Sequence, residues 1–232
     1  MKRFSIFPCV VLALLLAGST RSNATSLIVN GDFGLPNVGG NWGNFAPVGG
    51  VPGWSTDGNG IEIDDPAVFG GGSTASPGNG SNQSLEINYT TPEDVYQTVT
   101  GLTVGQTYIL GWAYGDRPNS GDEEMQVYFG GNLVGTDYDH LNGANPTTLW
   151  FQNYAIVTAT STSELLSFNG IDYPGYTNNG GASYGNELDN VTLINTPEPS
   201  TWLLLLSGLG LLGLVFVKRR QQVLQRSAAI SL

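Results

Sequence analysis

The chain has 232 residues, a formal net charge of −11 and a single cysteine, Cys9, near the N-terminus, so residues 25–195 have no means of forming a disulfide or a thiolate metal site. Of the eight basic residues only Arg117 lies between residues 25 and 195, whereas all 19 acids except Glu198 do. A field of that sign repels phosphate backbones, which excludes nucleic acid as a partner and makes divalent cations the natural counter-charge.

Lys2-Arg3, the apolar run Phe4 to Ala17 and the small-residue stretch Ser22-Asn23-Ala24 read as a signal peptide over residues 1–24, removed by signal peptidase after Ala24. Cys9 to Ala17 is apolar all round, so it does not read as an amphipathic helix of the folded part. Residues 25–195, about 170 of them, suit one domain with an ample core.

Within that domain period-two alternation is the dominant signal. Leu27 to Asn30 is predicted to open the fold as a strand, followed by Ile61-Glu62-Ile63, Ser84 to Asn88 and Val95 to Val99. Gly105-Gln106 turns the chain into Thr107 to Tyr114, where Tyr108, Leu110, Trp112 and Tyr114 share one face. Met125, Val127 and Phe129 form an apolar stripe, and Gly130-Gly131-Asn132 suits a hairpin reversal into Leu133-Val134. Tyr154 to Thr160, Leu165 to Phe168 and Leu188 to Ile194 complete about nine strands. No helix alternates with them, so the prediction is all-β, a sandwich of two antiparallel sheets.

Acidic residues outside the strands read mostly as solvated. Asp57-Gly58-Asn59-Gly60 has the composition of a calcium loop, but two glycines beside Asp and Asn read more readily as a tight turn, and Asp122-Glu123-Glu124 reads as a solvated loop. Asp137-Tyr138-Asp139-His140 holds the only histidine, too few donors for a transition-metal site. A Ser-His-Asp triad would have to use His140, and no Gly-x-Ser-x-Gly elbow is present. Glu62 and Glu86 are the first pair to consider for glycoside hydrolysis, although the strand pattern predicts their side chains on an exposed face.

Leu27-Ile28-Val29-Asn30-Gly31-Asp32-Phe33, Val51-Pro52-Gly53-Trp54, Val95 to Val99 with Tyr108 to Trp112, and Leu188-Asp189-Asn190-Val191-Thr192-Leu193 occur in the order that resembles the galactose-binding-like jelly roll of carbohydrate-binding modules. The resemblance implies a structural calcium ion joining the first strand to the last, with Asp32 and Asp189 as ligands and Asn190 as a weaker one. Gly34 stands where such relatives carry a further acid. It also implies extracellular polysaccharide as a partner, met by rings that stack on sugars. Trp42, Trp54, Trp150, Tyr173, Tyr176 and Tyr184 lie in or beside Gly/Asn-rich segments and are the candidates, whereas Trp112 is predicted to pack inside.

After residue 195 the character changes. Thr196-Pro197-Glu198-Pro199-Ser200-Thr201, the Leu/Gly-rich run Trp202 to Val217 and Lys218-Arg219-Arg220 resemble the PEP-CTERM sorting signal over residues 196–220. The run at 201–217 reads as a membrane helix with its cations on the cytoplasmic side, and residues 221–232 as a cytoplasmic extension. It falls below the roughly 20 residues that span a bilayer comfortably, which favours transient over permanent anchoring. The resemblance implies an exosortase as partner, with Pro197, Glu198 and Pro199 as recognition residues and Lys218, Arg219 and Arg220 as the basic cluster. It places the chain among exported Gram-negative proteins, anchored at the inner membrane as a precursor and surface-bound or extracellular when mature. The competing reading of the tail is a single-pass anchor that is never cut. For the domain, the leading expectation is a non-catalytic polysaccharide binder. The alternatives are a structural or adhesive matrix protein without a sugar pocket, and a glycoside-active enzyme.

Overall fold

Short apolar alternations, cut by Gly, Asn and Pro, resolve into twelve strands among the described residues of the structure, a computed structural model that describes residues 25–65, 82–117, 123–139, 149–171, 185–196, 207–214 and 216–220. They are β1 (Trp42–Phe45), β2 (Val48–Val51), β3 (Trp54–Thr56), β4 (Ile61–Asp64), β5 (Ser84–Glu86) and β6 (Asp94–Thr100). The second half supplies β7 (Thr107–Asp116), β8 (Glu123–Phe129), β9 (Asn132–Asp139), β10 (Phe151–Thr158), β11 (Ser163–Ile171) and β12 (Asn186–Asn195). The first sheet runs β1-β4-β5-β12-β7-β10 and the second β2-β3-β6-β11-β8-β9, with every pairing antiparallel. The predicted all-β sandwich is therefore present.

The core forms where the two inner faces meet. Tyr108, Leu110, Trp112 and Tyr114 of β7 are all buried, as their shared face predicts, and share one core with Met125, Val127 and Phe129 of β8. Phe168 of β11 bridges the sheets, its ring centroid 6.1 Å from Trp54 and 6.4 Å from Trp112. The β8-β9 reversal passes through Gly130 and Gly131 at φ 57° and 79°, a left-handed pair that glycine adopts without steric cost. Asp137 of β9 accepts hydrogen bonds from Trp112 Nε1 at 2.7 Å and Asn153 Nδ2 at 2.8 Å, tying an edge of the second sheet to β7 and β10 of the first.

Several expectations need correction. Leu27 to Asn30 is not a strand: Leu27 donates its N–H to Leu193, but Asn30 and Phe33, at φ 50° and 47°, turn the chain away before a ladder extends. The strand count rises from about nine to twelve because β1, β2 and β3 are only three or four residues long, the first two interrupted by glycine, and are too short for alternation to register. Glu123 and Glu124, predicted in an exposed loop, begin β8 and are buried.

The chain divides into two compact units, Met1–Asn195 and Thr196–Leu232. In the second, residues 207–214 and 216–220 are helical and Lys218, Arg219 and Arg220 are exposed. Among the described residues no helix is long and apolar enough to cross a membrane. The predicted signal peptide, Pro197-Glu198-Pro199 and residues 221–232 lie outside the described residues.

Glu93, just before β6, is 6% exposed, and its burial lifts the carboxyl to about 7, with Thr56 opposing the rise and the Asp57 charge adding to it. A folded-state value above the unfolded one favours the protonated form, so this group's contribution is fully present below pH about 4.5 and lost as pH rises through about 7. Glu93→Gln is expected to remove that loss. Urea unfolding should show the variant gaining about 2–3 kcal/mol on wild type between pH 4.5 and 8.

Candidate functional site

The outward face of the first sheet is unusual for what its register brings together. Glu62 of β4 lies opposite Glu86 of β5, which lies opposite Glu187 of β12. Asn44 of β1 extends this row on one side and Gly115 of β7 on the other. One step along the strands, Trp42, Asp64 and Ser84 form a second row. Since side chains alternate between faces, Asp189 shares the face of Glu187, while Ile61, Ile63, Leu85 and Leu188 point into the core.

These acids are buried. Asp64, Glu86 and Glu187 are fully enclosed and Glu62 is 6% exposed. One cation answers them: Arg117, which follows β7, donates from Nη1 to Glu86 Oε2 at 2.7 Å and lies 3.7 Å from Glu62 Oε1. Glu86 Oε1 accepts the Gly185 N–H at 3.0 Å. Asp64 faces Glu62, Glu86 and Glu187, and Glu187 faces the Ser84 hydroxyl, yet both oxygens of Asp64 and of Glu187, and Ser84 Oγ, lack a hydrogen bond of good geometry. Single oxygens of Glu62, Asp64 and Glu86 lie within 4.8 Å of one another.

The electrostatics follow. Burial pushes Glu62 up to about 7, with the Asp64 charge adding to the rise and Arg117 opposing it. Burial raises Asp64, again against Arg117. Glu86 and Glu187 stand well above the usual carboxylate range, first through burial, then through repulsion from Glu187 in one case and from Asp64 in the other. Four carboxylates against one guanidinium leave an excess of negative charge that needs protons or a further cation.

Exposed rings flank this acidic centre. Trp42 at one edge is 50% exposed, and Tyr154 of β10 at the other is 67% exposed. Tyr154 pairs with Gly111, where an added Cβ would come within 3.1 Å of the ring and 2.9 Å of Thr192 Oγ1, so the phenol lies flat on the backbone of β7. Beside it Gln152 donates from Nε2 to the Trp112 carbonyl at 2.9 Å and accepts from Asn190 Nδ2 at 2.8 Å. Asn190, at φ 50°, occupies the bulge between Asp189 and Thr192.

Of the sequence-predicted residues, Trp42 is exposed and Trp150, just before β10, is half-buried. Trp54 is withdrawn from the sugar-binding set: it is 1% exposed, its ring centroid 5.2 Å from Phe33, and its indole N–H donates to Asn30 O at 3.0 Å. Tyr173, Tyr176 and Tyr184 lie outside the described residues. Asp32 and Asn190 line one cavity of about 300 Å³ with Gly31 and Thr192. Asp189 is fully buried on the sheet face. Glu62 and Glu86, predicted at an exposed face, occupy the outward face but are enclosed. Asp64, Glu187 and Tyr154 were not anticipated. The signal for the first two was present in Ile61-Glu62-Ile63-Asp64 and Asn186-Glu187-Leu188-Asp189, where an acid recurs at every second position on adjacent strands.

Residues 195–220 match the PEP-CTERM protein-sorting motif. No curated protein matches the chain. Among solved structures it is similar to a family 35 carbohydrate binding module from Clostridium thermocellum, at 14% identity and TM-score 0.36, over 53% of this chain and 85% of that one. It is similar to the CBM22-1 xylan-binding domain from Paenibacillus barcinonensis, at 16% identity and TM-score 0.36, over 62% and 85%. A Stig cyclase from Fischerella sp. TAU gives 16% identity and TM-score 0.46, over 75% and 98%.

Replacing Arg117 by Met should leave Glu62 and Glu86 buried without their charge partner. The expected cost is about 3–5 kcal/mol at neutral pH, read as a lowered urea midpoint at unchanged slope. A cost below about 1 kcal/mol would mean that the pair is screened as a surface bridge is.

Proposed function

We propose that the chain is an exported bacterial surface or matrix protein, sorted by an exosortase through its tail, and that its domain binds extracellular polysaccharide without catalysis. The PEP-CTERM motif at residues 195–220 carries the sorting half of this reading. Pro197, Glu198 and Pro199 present the recognition sequence, and Lys218, Arg219 and Arg220 hold the cytoplasmic side at the inner membrane until cleavage. Replacing the Pro-Glu-Pro triad by three alanines should make the full-length precursor accumulate in the inner-membrane fraction. Pulse labelling that gives the same processed species with and without the triad overturns the sorting half.

The binding half rests on Trp42 and Tyr154, large rings exposed on one sheet face and flanked by amide and hydroxyl side chains. A ring lying flat offers its π-face to the apolar face of a sugar, and Asn44, Asn190 and Thr192 supply hydroxyl partners. Enclosure of Glu62 and Glu86, and their engagement with Arg117, favour a structural role for them over acid-base work on a glycosidic bond. In affinity electrophoresis against extracellular polysaccharides, Trp42→Ala and Tyr154→Ala should each weaken retardation about tenfold. Equal retardation of both variants and wild type removes this face as the contact surface, and no retardation of wild type favours a purely structural or adhesive protein.

A further inference from the structure

The enclosed carboxylates between the two rings are more than a proton-sharing network. Their arrangement has three properties that independently suit a hard cation. The donors are all oxygen: Glu62, Asp64 and Glu86 each contribute one within a 4.8 Å spread. Two oxygens on opposite sides of one Ca²⁺, each about 2.4 Å away, are separated by about that distance, whereas Mg²⁺ at about 2.0–2.1 Å requires a tighter set. The donors are also vacant where they need to be. Arg117 and the Gly185 N–H are spent on Glu86 and Glu62, while both oxygens of Asp64 are buried and accept no hydrogen bond of good geometry. Finally, Glu187 on the neighbouring strand, fully buried with both oxygens in the same condition, adds negative charge that no side-chain cation on the face offsets beyond Arg117.

We infer that Glu62, Asp64 and Glu86 hold one calcium ion on the outward face of the first sheet, with Glu187 supplying further negative charge beside it. The site is separate from the cavity lined by Asp32 and Asn190 and lies beside Trp42, the cross-strand partner of Asp64. It fixes β4 to β5 by bridging carboxylates that would otherwise repel across the pair, and offsets the charge of Glu187 on β12 beside them.

The test uses the full chain purified in detergent, stripped with a chelator and titrated with Ca²⁺ alone. One equivalent is expected to bind in calorimetry, with a rise in melting temperature of roughly 5–10 °C at a hundredfold excess over Kd. Asp64→Asn should lose both. A second readout does not depend on that variant folding: Trp42 is the cross-strand partner of Asp64, so Tb³⁺ in the site should emit when the indole is excited. That emission should fall several-fold in Trp42→Phe. Absence of Ca²⁺ binding by wild type, equal binding by a folded Asp64→Asn, or Tb³⁺ emission indifferent to Trp42→Phe would each overturn the assignment.

Discussion

Pairing β4, β5 and β12 sets Glu62, Glu86 and Glu187 side by side across three strands, and the architecture of the first sheet has to accommodate that row. Like charges directly opposite one another destabilise an antiparallel pair. The chain has no easy slip that relieves the conflict. Moving β4 by one residue would turn Ile61 and Ile63 outward and drive Glu62 and Asp64 into the apolar core, and moving it by two would only exchange one acid for the other. Register is therefore held by the apolar side of the sheet, and the polar side must be neutralised in place. Arg117 does part of this from the end of β7, gripping Glu86 at 2.7 Å. Protons or a divalent cation must supply the rest.

The same alternation explains what the sequence made legible. Where a strand is long and one-sided, as in Tyr108 to Tyr114 or Met125 to Phe129, periodicity names the buried face correctly because burial of the apolar side is the only strong force acting. Ile61 to Asp64 has the same pattern, yet its acids are enclosed as well, because the neighbouring side chains of β5, β12 and Arg117 crowd around them, and alternation within one strand does not report what adjacent strands place beside it. Short strands escaped for a different reason. Val48-Gly49-Gly50-Val51 has too few side chains to define a face, and its pairing with β3 is imposed by the hairpin rather than by local preference. Trp54 was misjudged because a Gly/Pro-rich neighbourhood suggests a loop, while Phe33 and Phe168 draw the indole inward.

Tyr154 marks the opposite case, an aromatic that sits within a regular strand and still faces solvent. Its neighbour across the ladder is Gly111, so the ring has backbone beneath it and no side chain to hide against. An edge strand with exposed Tyr154 and Ile156 is a liability for aggregation unless something covers it. On the polysaccharide reading, a polymer with many hydroxyl groups covers such a surface without demanding a closed pocket, so an open sheet face is compatible with binding.

Delivery and the acidic face are linked through charge. Residues 25–195 carry Arg117 as their only Lys or Arg, so further cations must come from the surroundings and not from the domain. A ligand that binds the folded state alone stabilises it in proportion to the logarithm of its concentration over Kd. On the cation reading, folding of β4, β5 and β12 is completed where divalent cations are abundant, outside the inner membrane, and is disfavoured before export. On the same reading an exported chain gains from such an order of events, because the acidic sheet would close only where its neutralising ion is present.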